Sequence, residues 1–210
     1  MLKQRIGALS LIAAVSVGLV ACGDDPKPEA KIDKLTGQDT QVAFDKGFVK
    51  ALGSLKLKPG TVGDASFKQG GAAASFPITS GNVKYFDPKS DVRPYVQGNI
   101  VHKGSGLSLD SGKTKVELTD FVIDPGTSEL TGKVTADGKV AAKSALLFNL
   151  DGSTLKPLKT DKKEGTAVLD GTTVELSKDA AALLNKTFDT KALKGGFKVG
   201  VSTITVKLPK

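Results

Sequence analysis

The sequence contains no tryptophan, one cysteine, one histidine and two tyrosines in 210 residues. Each scarcity removes a class of function. No thiol remains beyond Cys22, which excludes disulfides and cysteine catalysis from the rest of the chain. A zinc site would have only His102 and carboxylates to draw on. Arginine is confined to Arg5 and Arg93, and every other basic residue is lysine. Bidentate recognition of phosphate and guanine relies on the arginine fork, so its scarcity argues against a nucleic-acid reader. With so few large aromatic rings, the stacking platforms of a typical glycan binder are undersupplied as well.

Catalytic signatures are missing too. There is no G-x-S-x-G elbow, no P-loop and no glycine-rich dinucleotide fingerprint. The carboxylates of Asp120 and Asp124, around "DFVID", read as strand-end and turn residues. A glycosidase pair or an envelope hydrolase would need two such groups at a set separation. "DPGTSE" lacks the alternating acidic ligands of a calcium loop. The expectation is a protein that is not an enzyme.

The N-terminus carries an address. Lys3 and Arg5 precede an apolar run from Ile6 to Val20, the pattern of a secretory signal. Its end, Leu19-Val20-Ala21-Cys22, resembles the bacterial lipobox. That resemblance implies that Cys22 is diacylated and becomes the first residue of the mature chain. Two acyl chains hold a protein on a membrane stably, where one is marginal. Residues 1–21 are therefore expected to be a lipoprotein signal peptide. Residues 22–38, which include "GDDPKPEAKIDKLTGQ", read as a polar tether, and residues 39–210 as a single domain. The location implied is extracytoplasmic, anchored to the cell membrane by lipid.

About 170 residues remain once leader and tether are set aside, enough for one domain with its own core. The chain has 30 basic and 22 acidic residues; without Lys3 and Arg5 that is 28 against 22, a net charge of +6. The lysines are scattered, as on a solvated surface. Such a surface also suits anionic envelope polymers or other surface proteins as partners.

Short alternating runs separated by turn dipeptides predict a mainly β chain. Asp137-Gly138, Asp151-Gly152 and Asp170-Gly171 each read as hairpin turns, because Asp-Gly supplies the positive φ angles that two-residue turns need. Strands are predicted at 116–123, 130–135, 139–142, 145–150, 167–169 and 172–176. The fold class expected is an antiparallel β-sandwich or partly open barrel.

An internal repeat adds two helices. "TQVAFDKGFVKAL" (Thr40 to Leu52) aligns without gaps on "TTVELSKDAAALL" (Thr172 to Leu184). Each copy opens with Thr-x-Val, continues to an N-cap (Asp45 or Ser177), and enters a short helix. The helices share apolar spacing: Phe48, Ala51, Leu52 and Leu55 against Ala180, Leu183, Leu184 and Thr187. A third run, from Val62 to Phe67, matches Val199 to Ile204 after five extra residues in the later copy. The reading is two strand–helix–strand units, 40–67 and 172–204, flanking a central β region.

The rare chemistry-bearing side chains, Tyr85, Tyr95 and His102, cluster before and within "PYVQGNIVHKGSGLSL". Strand alternation puts Val96, Gly98, Ile100 and His102 on one face and Tyr95 on the other. His102 on that apolar face reads as a packed neutral imidazole or as a ligand, and "KGSG" as a turn or bulge. If Phe86 to Pro94 closes a hairpin, Tyr85 and Tyr95 meet at one sheet end.

Taken in order, "VKY", a loop, "Y-x-Q-G-N-I-V", a glycine turn, "LSL", "VELTDFVID" and "LTGKV" resemble the β-rich haem-uptake domain of Gram-positive cell surfaces, the HtaA type. Phe76-Pro77-Ile78-Thr79-Ser80-Gly81 is similar to the F-P-I-T-x-G segment of secreted actinobacterial-type proteins. The likeness spans roughly 76–134. It implies haem as a cofactor, with tyrosinate a recognised iron ligand and Tyr85 the position that carries over. The family pattern sets a histidine in a form like F-x-G-H-x-G, whereas here His102 falls inside the strand. Two readings result: a lipid-anchored, non-enzymatic binding or envelope-structural domain with no cofactor, and a haem-binding module using Tyr85, with Tyr95 and His102 as further candidates.

Overall fold

The alternating runs of the sequence become thirteen strands. In a computed structural model, which describes residues 26–209, they are β1 (Ala30–Ile32), β2 (Gln38–Phe44), β3 (Lys58–Gly63), β4 (Ser66–Lys68), β5 (Ala73–Pro77), β6 (Ser80–Tyr85) and β7 (Val96–Asp110). The chain continues through β8 (Lys115–Asp124), β9 (Glu129–Ala136), β10 (Lys139–Asp151), β11 (Lys159–Asp161), β12 (Thr166–Leu176) and β13 (Lys198–Lys207). Two helices interrupt them, α1 (Lys46–Ser54) after β2 and α2 (Lys178–Thr187) after β12.

All the strands belong to one antiparallel sheet, in the order β1-β6-β7-β8-β9-β10-β12-β13-β2-β5-β4, with β3 on β7 and β11 on β12. The sheet curls into a half-barrel, so the partly open barrel is correct and the two-sheet sandwich is not. The curl has a covalent cause. β5 pairs with β2 near one end of the sheet, and β6 pairs with β7 near the other. Only Ile78 and Thr79 separate β5 from β6, so the chain itself ties the two ends together. Ile78 N donates to Gln38 O and Thr79 N to Val101 O, both at 2.8 Å, which fixes this seam.

Asp137 (φ 47°) and Gly138 (φ 76°) make the tight turn expected between β9 and β10. The other two Asp-Gly pairs do something else. Asp170-Gly171 lies inside β12, where the register shifts at a bulge. Gly171 has φ 110°, and a Cβ there would run into the Thr154 carbonyl, so the glycine admits a close backbone approach rather than a reversal. The predicted strands 167–169 and 172–176 are therefore one strand. Asp151-Gly152 ends β10 and opens a longer loop, with Asp151 accepting from Ser153 N at 2.8 Å. "KGSG" is likewise a bulge: β7 continues through it, pairing with β6 on one side and β3 on the other.

Both helices start where the N-caps predict. Asp45 Oδ1 accepts from Gly47 N (2.7 Å) and Ser177 Oγ from Ala180 N (2.9 Å). Leu52 and Leu184 are buried on the apolar faces. The first strands of the two repeats, β2 and β12, both pair with β13. The third elements then diverge: β13 lies on its own β12, whereas β3 leaves β2 and joins β7.

The residues assigned to the tether include folded ones. Ala30–Ile32 form β1 against β6, Leu35 N bonds Gly81 O (2.8 Å), and Ile32 and Leu35 are buried. Two apolar side chains in a polar stretch were enough to bring it onto the sheet.

Candidate apolar ligand site

A curled sheet has a concave face, and what fills it depends on the size of the inward side chains. At one end four phenylalanines, Phe44, Phe76, Phe121 and Phe148, line the interior and leave a void of about 30 Å³. Further along, the inward residues are smaller. Register places Thr172 beside Ser202 and Ser202 beside Val42 across β12, β13 and β2; the next row is Leu169, Ile204 and Thr40. Over this floor lies a cavity of about 280 Å³, walled also by Ile100, Ile123, Leu130 and Val174. Its remaining lining comes from Pro94, Tyr95 and Val96, Pro125 and Ser128, Leu150, and the Gly152–Leu155 loop.

No charged side chain lines this cavity. Its deeper hydroxyls are already engaged: Ser202 Oγ donates to Thr172 O (3.3 Å), and Thr40 contacts His102 Nε2 (3.3 Å). Among the described residues every buried side-chain polar atom has a hydrogen-bond partner. The cavity offers apolar contact and shape, with no unmet polar demand.

His102 sits at the narrow end, 1 % exposed. Its Nδ1 is 3.1 Å from Pro77 O, which can only accept, so Nδ1 carries the proton. Nε2 is then the acceptor for the Thr40 hydroxyl. Its ring meets Phe76 edge-on, with centroids 6.4 Å apart. Burial lowers its pKa; hydrogen bonding to the Pro77 and Phe76 backbone and the nearby Asp39 charge push the other way. The imidazole ties β7 to β2 and β5 across the seam, with both nitrogens occupied.

Tyr85 and Tyr95 do meet, with centroids 5.9 Å apart and planes at 88°. They reach different spaces. Tyr95 precedes the first residue of β7, so strand alternation does not govern it, and its half-buried ring lines the main cavity. Burial raises its pKa, Tyr85 adds to this and Arg93 opposes it, so the phenol is held neutral. Tyr85 is buried between a smaller void of about 40 Å³ and an open surface cleft of about 460 Å³ lined also by Asp87, Pro88 and Leu158, and its hydroxyl lies 3.5 Å from Leu158 N, which donates to it. The structure brings the two tyrosines together and leaves His102 among other partners. Of the three candidates only Tyr95 faces the main cavity. Cys22 lies outside the described residues.

Haem would find one side chain there able to ligate iron, a tyrosine whose environment opposes the tyrosinate form. The walls themselves were not singled out in the sequence, although a signal for them existed. Thr40 and Val42, and Thr172 and Val174, are the two Thr-x-Val openings of the repeat, and all four line the cavity.

No family model matches the chain, and no curated protein does. Solved structures do. The C-terminal domain of HtaA from Corynebacterium glutamicum superposes with a TM-score of 0.56 at 14 % identity, covering 84 % of this chain and 99 % of that one. The N-terminal domain of HtaA from the same organism gives 0.51 at 12 % identity, with the same coverages. The fold is therefore HtaA-like over most of the chain, well beyond the segment in which the sequence resembles that type.

Proposed function

We propose that this HtaA-like half-barrel is a non-enzymatic binding module that takes an apolar small molecule on its concave face. We place it outside the cytoplasm, held at the membrane by acylated Cys22. The observation that carries the reading is the cavity of about 280 Å³ without a charged wall residue, close to the lower end of ligand-site volumes (about 300–1,000 Å³). The leader and lipobox support the address, and the absence of catalytic signatures supports a binding role. Scattered lysines suit a lysine-rich surface lying against anionic envelope polymers.

The test is binding of a neutral apolar fluorophore, N-phenyl-1-naphthylamine, by the purified chain. Saturable enhancement that is lost in Ser202→Phe, with folding intact by circular dichroism, supports the reading; an unaffected signal in that variant refutes it. For the address, Cys22→Ser should release the protein from the membrane fraction, and retention there would count against acylation.

A second reading, a haem-binding module, is favoured by Tyr95 on the cavity wall together with the resemblance to haem-uptake domains. A hemin titration decides it. A Soret shift that disappears in Tyr95→Phe supports haem ligation by this residue, and one that disappears only in Tyr85→Ala moves the ligand to Tyr85. No shift removes the reading.

A further inference from the structure

The cavity is one compartment of a longer trough. Along β13, Val206 lines the small void beside Tyr85, and Ile204 lines both that void and the main cavity. Ser202 lines the main cavity, and Val199 the narrow end near His102. β12 repeats the order: Ala167, then Leu169 shared, then Thr172, then Val174 shared with the narrow end. The three spaces thus follow one another along the strands. The seven residue steps from Val199 to Val206 span about 23 Å at the ordinary strand rise. Their volumes are unequal, with about 280 Å³ in the middle and about 40 and 30 Å³ at the ends.

We propose that the trough is a site for a single linear alkyl or acyl chain, lying along β12 and β13 and extending from the main cavity into its narrow ends. This rests on the reading of the cavity as the ligand site. Three features select the class. The interior bears no charged side chain, and His102, donating through Nδ1 and accepting at Nε2, is a neutral imidazole, so the enclosed part of the ligand carries no charge. The three spaces line up over about 23 Å with only small voids at the ends, so a flexible chain reaches those ends where a rigid planar ring system stays in the middle. The mouth carries the hydroxyl-bearing side chains Tyr95, Ser128 and Ser153, which suits a polar end group near solvent.

The probes are a homologous series of 1-alkanols, with pyrene as a rigid planar comparison, titrated calorimetrically into the full chain carrying Cys22→Ser so that no acyl group of its own competes. Each methylene taken out of water is expected to raise affinity about fourfold. The rise stops at the chain length that fills the trough. Val42→Phe, at the boundary between the main cavity and the His102 end, should lower the plateau length. Binding of pyrene with no chain-length increment overturns the linear-chain proposal and leaves the apolar-ligand reading standing. Failure of both probes overturns both. A plateau that Val42→Phe does not move overturns the placement along the trough.

Discussion

The pH dependence of stability between about pH 7.5 and 5 should belong to one residue. His102 is the only histidine in the chain, and the carboxylates begin to titrate only near the bottom of this window. In the folded state its imidazole is neutral, buried, donating through Nδ1 to Pro77 O and accepting from Thr40 at Nε2. Protonation would desolvate a charge and turn the Nε2 acceptor into a second donor. The folded pKa is accordingly below that of an ordinary exposed imidazole. As pH falls through the unfolded-state value of about 6.5, the unfolded chain therefore takes up a proton that the folded chain refuses, and stability is lost. The loss is at most about 1.4 kcal/mol per pH unit, and it ceases once pH passes below the folded pKa. In a chain of this size each kcal/mol corresponds to about 2–4 °C in Tm. Urea midpoints for the wild type and His102→Gln at pH 7.5, 6.5, 5.5 and 5.0 test the argument. The variant should be weaker at pH 7.5 by about 1–3 kcal/mol, because it leaves buried groups at the seam imperfectly paired. Its stability should then be nearly flat over the window, while that of the wild type declines. A flat wild-type profile, or the same decline in His102→Gln, would refute the account.

Three further substitutions probe the fold. Gly171→Ala should cost about 1–3 kcal/mol, since φ 110° and the Thr154 carbonyl both oppose a Cβ; thermal melts read it directly. Ser177→Ala removes both the cap on Ala180 N and the bond to Leu146 O (2.7 Å), and should lower the urea midpoint by an amount equivalent to about 1–2 kcal/mol. Leu35→Ala empties a fully buried site just after β1 and should destabilise by about 2–5 kcal/mol. A neutral result there would return residues 30–35 to the tether.

What the sequence made legible was local. Alternation located most strands, Asp45 and Ser177 announced the helices, and lone residues such as His102 could be assigned a face by parity. The misread turns share one cause, which is that Asp-Gly and glycine-rich pairs permit positive φ without dictating a chain reversal. Whether Gly171 turns the chain or kinks a strand depends on Thr154, seventeen residues away, and nothing near the dipeptide encodes that contact. Tyr95 escaped parity because it stands one residue outside β7. Ile32 and Leu35 were hidden by polar neighbours, though burying them needs only a free sheet edge, which β6 supplies. The cavity was the least legible feature, since it is a volume left by side chains on β2, β7, β8, β9, β10, β12 and β13 whose adjacency only the closed register reveals.

The two ends of the interior show why the fold by itself does not set the function. At the His102 end, phenylalanines from β2, β5, β8 and β10 fill the curl, with Phe76 and Phe121 packed edge-on at 5.4 Å, and almost no space remains. A few residues along the same strands, Thr172, Ser202 and Thr40 occupy inward positions that phenylalanine would close. The same strands run through both ends, and the difference lies chiefly in side-chain volume. Hydroxyl-bearing residues are an unexpected means of lining an apolar space. Here they are small, and for Thr40 and Ser202 the polar atom is turned to His102 or to the Thr172 carbonyl. What faces the cavity is therefore chiefly carbon. The Thr-x-Val repeat delivers this surface twice, on the two strands that flank β13. It is more than a trace of pseudo-symmetry, because it is the pattern that keeps the half-barrel open at its centre.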